Sequence, residues 1–268
     1  MAHAVRHPAV AGTFYPGHPG KLDYDLDNLL RQARRTSGPV PKAVIVPHAG
    51  YIYSGPIAAT AYQRIAAGRD RIHRVVLLGP AHRVPVRGLA LPGVEAFETP
   101  LGTVPLDRDA MARLAALPQV VESAPAHAWE HSLEVQLPFL QKVLDDFTLV
   151  PLVVGDATAE EVAEVLDQVW GGPETLIVIS SDLSHYLPYD LARRIDGQTA
   201  QMILDLRPVS HEQACGGTPV NGLLLAARRH GLRPELLDLR NSGDTAGDHD
   251  HVVGYAAFAF VEGQQGVH

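Results

Sequence analysis

The stretch Ala43-Val44-Ile45-Val46-Pro47-His48-Ala49-Gly50-Tyr51 joins an unbroken apolar run to a turn that carries an imidazole. Four consecutive apolar residues with no polar alternation read as a strand buried on both faces, as in a parallel sheet covered by helices. The same pattern recurs twice. Residues 75–78 lead into Gly79-Pro80-Ala81-His82, and residues 176–179 lead into Ser180-Ser181-Asp182-Leu183-Ser184-His185. Residues 149–154 and 252–260 add two more predicted strands. Helix-like stretches at 22–35, 56–67, 107–116, 131–145, 159–170, 191–206 and 220–230 alternate with them, which predicts an α/β fold with a central, mostly parallel sheet flanked by helices. Functional groups in open α/β sheets collect outside the carboxyl ends of the strands. His48, His82, Asp182 and His185 are therefore candidate site residues by position alone.

Punctuation supports this division. Thr158 followed by Glu160 and Glu161 reads as a helix N-cap with acidic first-turn residues. Pro138, inside the 131–145 stretch, predicts a kink or an early helix start. No internal repeat or Ser/Gly-rich linker marks a boundary, so residues 1–268 are expected to form one domain. Lys+Arg number 22 against 30 Asp+Glu, a net charge of −8 with no basic block, which argues against a nucleic-acid partner. No apolar run reaches the roughly 18 residues needed to span a bilayer, and residues 1–12 contain no apolar core of a signal peptide. A cytoplasmic protein with no membrane partner is expected. The chain has 14 His but one Cys, so no internal disulfide can form. Loops and motifs of nucleotide-binding, dinucleotide-binding and serine-hydrolase proteins are absent.

His131 and Glu134 in Trp129-Glu130-His131-Ser132-Leu133-Glu134 are three apart, and so on one helix face. They read as a nitrogen and a carboxylate offered to one site, or as a charged helix start with Glu130 near the positive end of the dipole. Cys215 sits in Ala214-Cys215-Gly216-Gly217-Thr218-Pro219 ahead of an apolar helix. It reads as a dipole-favoured thiolate that can bind metal, or as a small buried hydrophobe. The polar run from Ser242 to His251 reads as a soluble turn rather than a separate metal loop.

The ordered set of motifs resembles the Memo-like family, called AmmeMemoRadiSam system protein B in prokaryotes and named in animals for a mediator of receptor-driven cell motility. The matching blocks are Pro8-Ala9-Val10-Ala11-Gly12-Thr13-Phe14-Tyr15-Pro16, Pro47-His48-Ala49-Gly50-Tyr51-Ile52-Tyr53-Ser54-Gly55, Leu78-Gly79-Pro80-Ala81-His82, Thr99-Pro100-Leu101-Gly102 and Glu130-His131-Ser132-Leu133-Glu134. They continue through Ser180-Ser181-Asp182-Leu183-Ser184-His185-Tyr186, Ala214-Cys215-Gly216, Ser242-Gly243-Asp244 and Val253-Gly254-Tyr255-Ala256. The resemblance implies a fold like that of class III extradiol dioxygenases. It also implies that His48, His82 and Cys215 bind one metal, iron or copper, while His131, Glu134, Asp182 and His185 line the same cleft. In this reading His185 and His131 are the acid/base candidates, and Asp182 or Glu134 orients an imidazole.

The dioxygenases use two His and a carboxylate, whereas a thiolate here shifts preference toward copper(I), zinc or thiolate-bound iron. Redox or oxygen-dependent chemistry on an unknown small molecule is the leading expectation. The alternatives are a non-catalytic recognition module for a peptide or partner protein, and a zinc hydrolase. The resemblance further implies a radical SAM protein and an AMMECR-type protein as partners.

Overall fold

The computed structural model describes residues 4–263, so residues 1–3 of the N-terminal stretch read above lie outside it. Twelve strands are present among the described residues. In chain order they are β1 (Val5–Arg6), β2 (Ala43–Val46), β3 (Arg74–Pro80), β4 (Leu89–Leu91), β5 (Ala96–Thr99), β6 (Gly102–Pro105) and β7 (Val120–Glu122). They continue with β8 (Thr148–Val154), β9 (Thr175–Ser180), β10 (His185–Leu187), β11 (Leu232–Asn241) and β12 (Val252–Glu262). The α-helices are α1 (Pro19–Gln32), α2 (Tyr51–Ile65), α3 (Arg108–Leu114), α4 (Ala124–Ala128), α5 (His131–Glu134), α6 (Leu137–Val143), α7 (Ala159–Gln168), α8 (Tyr189–Leu204) and α9 (Gly217–Arg229).

Nine strands form the main sheet. Its centre, β2-β9-β3-β8, is parallel throughout. The flanks are antiparallel: β12 runs against β2, β10 and β11, and β4 runs against β8. The sheet is therefore mixed: the expected parallel order holds in its middle and returns between β4 and β7 at one edge. Because side chains alternate, each central strand feeds two cores. Val44 and Val46 pack with α1, α2 and α6 on one face, while Ala43 and Ile45 pack with α3, α7, α8 and α9 on the other. Continuous apolar runs are what such doubly covered strands require.

The predicted 131–145 helix is two helices, α5 and α6, with Pro138 in the first turn of α6 where its missing N–H leaves no bond unmade. Thr158 caps α7 in a full capping box with Glu161. Strand β11 carries Arg233, Pro234 and Glu235 in a half-exposed pattern suited to the sheet margin, and it lacks the apolar continuity of the others. No helix among the described residues is long and apolar enough to cross a membrane.

Candidate metal centre

Three adjacent parallel strands deliver their carboxyl ends to one edge: β2 ends before Pro47-His48, β9 before Ser181-Asp182, and β3 before Ala81-His82. The turn ahead of α9 brings Cys215 over the same edge. His48 is fully buried, and its Nε2 lies 3.3 Å from Cys215 Sγ. The His48 and His82 rings are 5.1 Å apart and nearly perpendicular. His131, the first residue of α5, stacks on His82 at 4.6 Å and packs on its other side against Phe14 at 4.7 Å.

Close backbone approach makes this possible. A Cβ on Gly216 would lie 2.7 Å from Ser181 Cβ and 2.8 Å from the Ser180 carbonyl, so only glycine lets the Cys215 turn settle on the end of β9. The Gly216 N–H donates to Ser181 Oγ at 2.9 Å, which fixes the turn there. Gly216→Ala is expected to cost about 1–3 kcal/mol by overpacking. By contrast, Gly197 of α8 has open space at its Cβ position, and Gly197→Ala should raise the midpoint of thermal unfolding. Thermal melts of the two variants check the opposite signs.

The His82 and His48 imidazoles are held from behind. His82 Nδ1 donates to Glu130 Oε1 at 2.8 Å, and the His82 backbone N–H donates to Oε2 of the same carboxylate at 2.6 Å. Ser132 N–H adds a third bond, to Oε1 at 2.9 Å. Burial opposes ionisation of Glu130, but the bonds from His82 and Ser132 outweigh it and hold the carboxyl down at about 2. His48 Nδ1 meets Ser180 Oγ at 2.8 Å, and the His48 backbone N–H donates to Asp182 Oδ1 at 2.8 Å. Asp182 Oδ2 faces His48 Nε2 at 3.9 Å.

Burial, reinforced by His131 and His82, keeps His48 neutral well below the usual imidazole range, and burial lowers His131 in the same way. Burial raises Asp182, against the His48 N–H bond. Cys215 is pushed up to about 12, first by burial and then by the Asp182 carboxylate, so it keeps its proton at neutral pH. A groove of about 420 Å³ opens beside the thiol, walled by Ala81, Val86, Asp156, His211 and Thr218.

Two sets of donor atoms are close enough to share one ion: His48, His82 and Cys215, and His82, Glu130 and His131. Within each set the atoms lie within 4.8 Å of one another. Hydrogen bonding separates the two. Both Glu130 oxygens and His82 Nδ1 are already engaged, so Glu130 is an orienting carboxylate rather than a ligand. In the first set His82 keeps Nε2 as its second nitrogen, and His48 Nε2 lies against the thiol with no hydrogen-bonding carboxylate on either. A metal at about 2.0–2.3 Å from nitrogen and sulfur sets those atoms roughly 3.5 Å apart, close to the 3.3 Å seen here.

The other predicted residues are placed differently. Asp182 and His131 reach the cluster. His185 is exposed on β10 and packs against Tyr186 at 5.9 Å, and no hydrogen bond joins it to the cluster among the described residues. Glu134 turns away from the cleft. It is fully buried and accepts from Arg6 Nη1 (2.7 Å), Ala9 N (2.9 Å), Val10 N (3.0 Å) and Tyr15 OH (2.7 Å). On a helix of four residues, His131 and Glu134 serve two different neighbours. The imidazole-orienting carboxylate is instead Glu130, which the helix-dipole reading passed over because its partner lies 48 residues earlier. Ser180 and Gln136 also carried no signal of their own in the sequence.

A family model described as "Memo-like protein" matches residues 6–259. A "MEMO1 family protein" of Aquifex aeolicus (strain VF5) is 38% identical over 270 residues, covering 96% of this chain and 99% of that one. Another, from Ignicoccus hospitalis, is 36% identical over 290 residues, with coverage of 96% and 98%. The chain also resembles a solved structure, the uncharacterized protein JW3007 from Escherichia coli K12, with a TM-score of 0.48 and 16% identity over 80% of this chain and 98% of that one.

Proposed function

Given that the chain belongs to the Memo-like family, we propose that it is a mononuclear metal protein in which His48, His82 and Cys215 hold one iron or copper ion. The convergence of these three donor atoms within 4.8 Å carries the reading. A bound ion of this kind would supply redox or oxygen-dependent chemistry to a small molecule in the adjoining groove. The chain's own contribution is positional and protolytic. Glu130 fixes the His82 ring by accepting from its Nδ1, and burial of His48 keeps water from its inner face. His131, held neutral by burial and outside the proposed ligand set, is the imidazole able to accept a proton from a bound molecule. Asp182 Oδ2 is the second acceptor at the same edge.

Anaerobic purification followed by elemental analysis tests the reading, with one iron or copper per chain expected. Negligible uptake after reconstitution with iron(II), copper(I) and zinc(II) would overturn it; zinc alone would favour hydrolysis. A second reading, a recognition module for a peptide or partner protein, is favoured by exposed apolar side chains beside the cluster. Trp129 is 70% exposed and lies two residues from His131, and Ile52 is 68% exposed and lies four residues from His48. A radical SAM protein or an AMMECR-type protein captured equally well by wild type and His48→Ala would support that reading.

A further inference from the structure

We propose that Ser180, oriented by Gln136 and the Ser132 carbonyl, is the positioning residue that fixes the tautomer of His48, so that its Nε2 lone pair faces the cluster. The inference rests on the metal-binding reading above only for its functional meaning; the tautomer itself follows from donor and acceptor accounting.

The Pro47 carbonyl can only accept, so the atom of Gln136 that lies 2.9 Å from it must be the amide nitrogen. This sets the side-chain amide unambiguously, and Gln136 Oε1 then accepts from Tyr62 OH at 2.7 Å. The second Gln136 N–H donates to Ser180 Oγ at 3.0 Å. The Ser132 carbonyl also can only accept, so the single Ser180 hydroxyl proton goes to it, at 2.6 Å. Were that proton turned elsewhere, two bare oxygens would face each other at that distance.

Ser180 Oγ has one proton and two lone pairs. The proton is committed to Ser132, and one lone pair is taken by Gln136. Only an acceptor remains for His48 Nδ1 at 2.8 Å, so Nδ1 must carry the hydrogen. In a neutral imidazole that leaves Nε2 bare, and Nε2 is the atom 3.3 Å from Cys215 Sγ. His48, Ser180, Gln136, Ser132 and Tyr62 are all buried, so no solvent competes to reverse it. The arrangement differs from that at His82. There a carboxylate imposes the same tautomer directly; at His48 a neutral hydroxyl does so because its neighbours deny it any other orientation.

The test reads the proton in the absence of metal. Full-length protein with 15N-labelled histidine, treated with a chelator, is examined by long-range 1H–15N correlation, with His48 assigned by its loss in His48→Gln. The expected spectrum shows His48 protonated at Nδ1. Ser180→Thr keeps the hydroxyl and should keep the tautomer. Ser180→Ala should give a mixture of both His48 tautomers, leave His82 unchanged, and weaken zinc(II) binding about 10–100-fold in chelator competition. Wild-type His48 protonated at Nε2 would overturn the proposal, as would an unchanged tautomer and zinc affinity in Ser180→Ala. Should Ser180→Ala not fold, the wild-type spectrum still decides. Wild type that shows Nδ1–H yet takes up no zinc would sustain the tautomer assignment and count against the metal reading alone.

Discussion

Cys215→Ala is expected to weaken zinc(II) binding, measured anaerobically against a chelator, by roughly two to three orders of magnitude. Structural zinc sites with four ligands bind with about 10–16 kcal/mol, so losing one ligand costs about 2.5–4 kcal/mol, and 1.4 kcal/mol is tenfold. The same thiol imposes a pH dependence. In the metal-free protein burial holds Cys215 at about 12, so at neutral pH the thiol is protonated and must release its proton to become a ligand. The proton belongs to the empty state alone, and raising pH therefore favours the loaded state. Apparent affinity should rise about tenfold per pH unit between pH 7 and 9, and Cys215→Ala should lose that slope. Equal affinity and equal slope in the two proteins would remove Cys215 from the ligand set.

Glu134→Ala is expected to be the most damaging single change to stability away from the cluster. Its carboxylate is the only anion paired with Arg6 among the described residues, at 2.7 Å, with both side chains buried. Removing one partner of a buried pair leaves an uncompensated charge and costs about 3–5 kcal/mol. Tyr15 OH and two backbone N–H groups lose their acceptor as well. At roughly 2–4 °C per kcal/mol for a chain of this size, the melting midpoint should fall by on the order of 10 °C. Replacing both partners with apolar residues, Arg6→Met with Glu134→Leu, should recover the part of the loss that comes from the stranded charge, while Tyr15 OH and the Ala9 and Val10 N–H groups stay without their acceptor. A drop below about 2 °C for Glu134→Ala would show that the pair contributes little.

The central strands were legible because a parallel sheet covered on both faces demands unbroken apolar runs, and residues 43–46 coincide with β2 residue for residue. Strand-end placement brought His48, His82 and Asp182 to one edge for the same reason: all three follow parallel neighbours. Helix spacing was a weaker guide. His131 and Glu134 do share a single turn, but the turn is wedged between the cleft and the N-terminal segment, so its two functional groups face different surroundings. Glu130 illustrates the general limit. Its role depends on His82 arriving from another strand, and no local pattern encodes that arrival. Strand β11 was missed because a strand at the sheet margin keeps polar residues that erase the apolar signal.

The solitary thiol has a consequence for the protein's lifetime in air. An oxidised cysteine is ordinarily rescued by a second, resolving cysteine, and this chain has none. Sulfenic acid formed at Cys215 could be recovered only by a small external thiol entering through the groove beside it. Oxidation one step further would retire the site permanently. Because burial keeps the empty-state thiol protonated, the unreactive form, that loss is slow at neutral pH and quickens as pH rises toward the thiolate range.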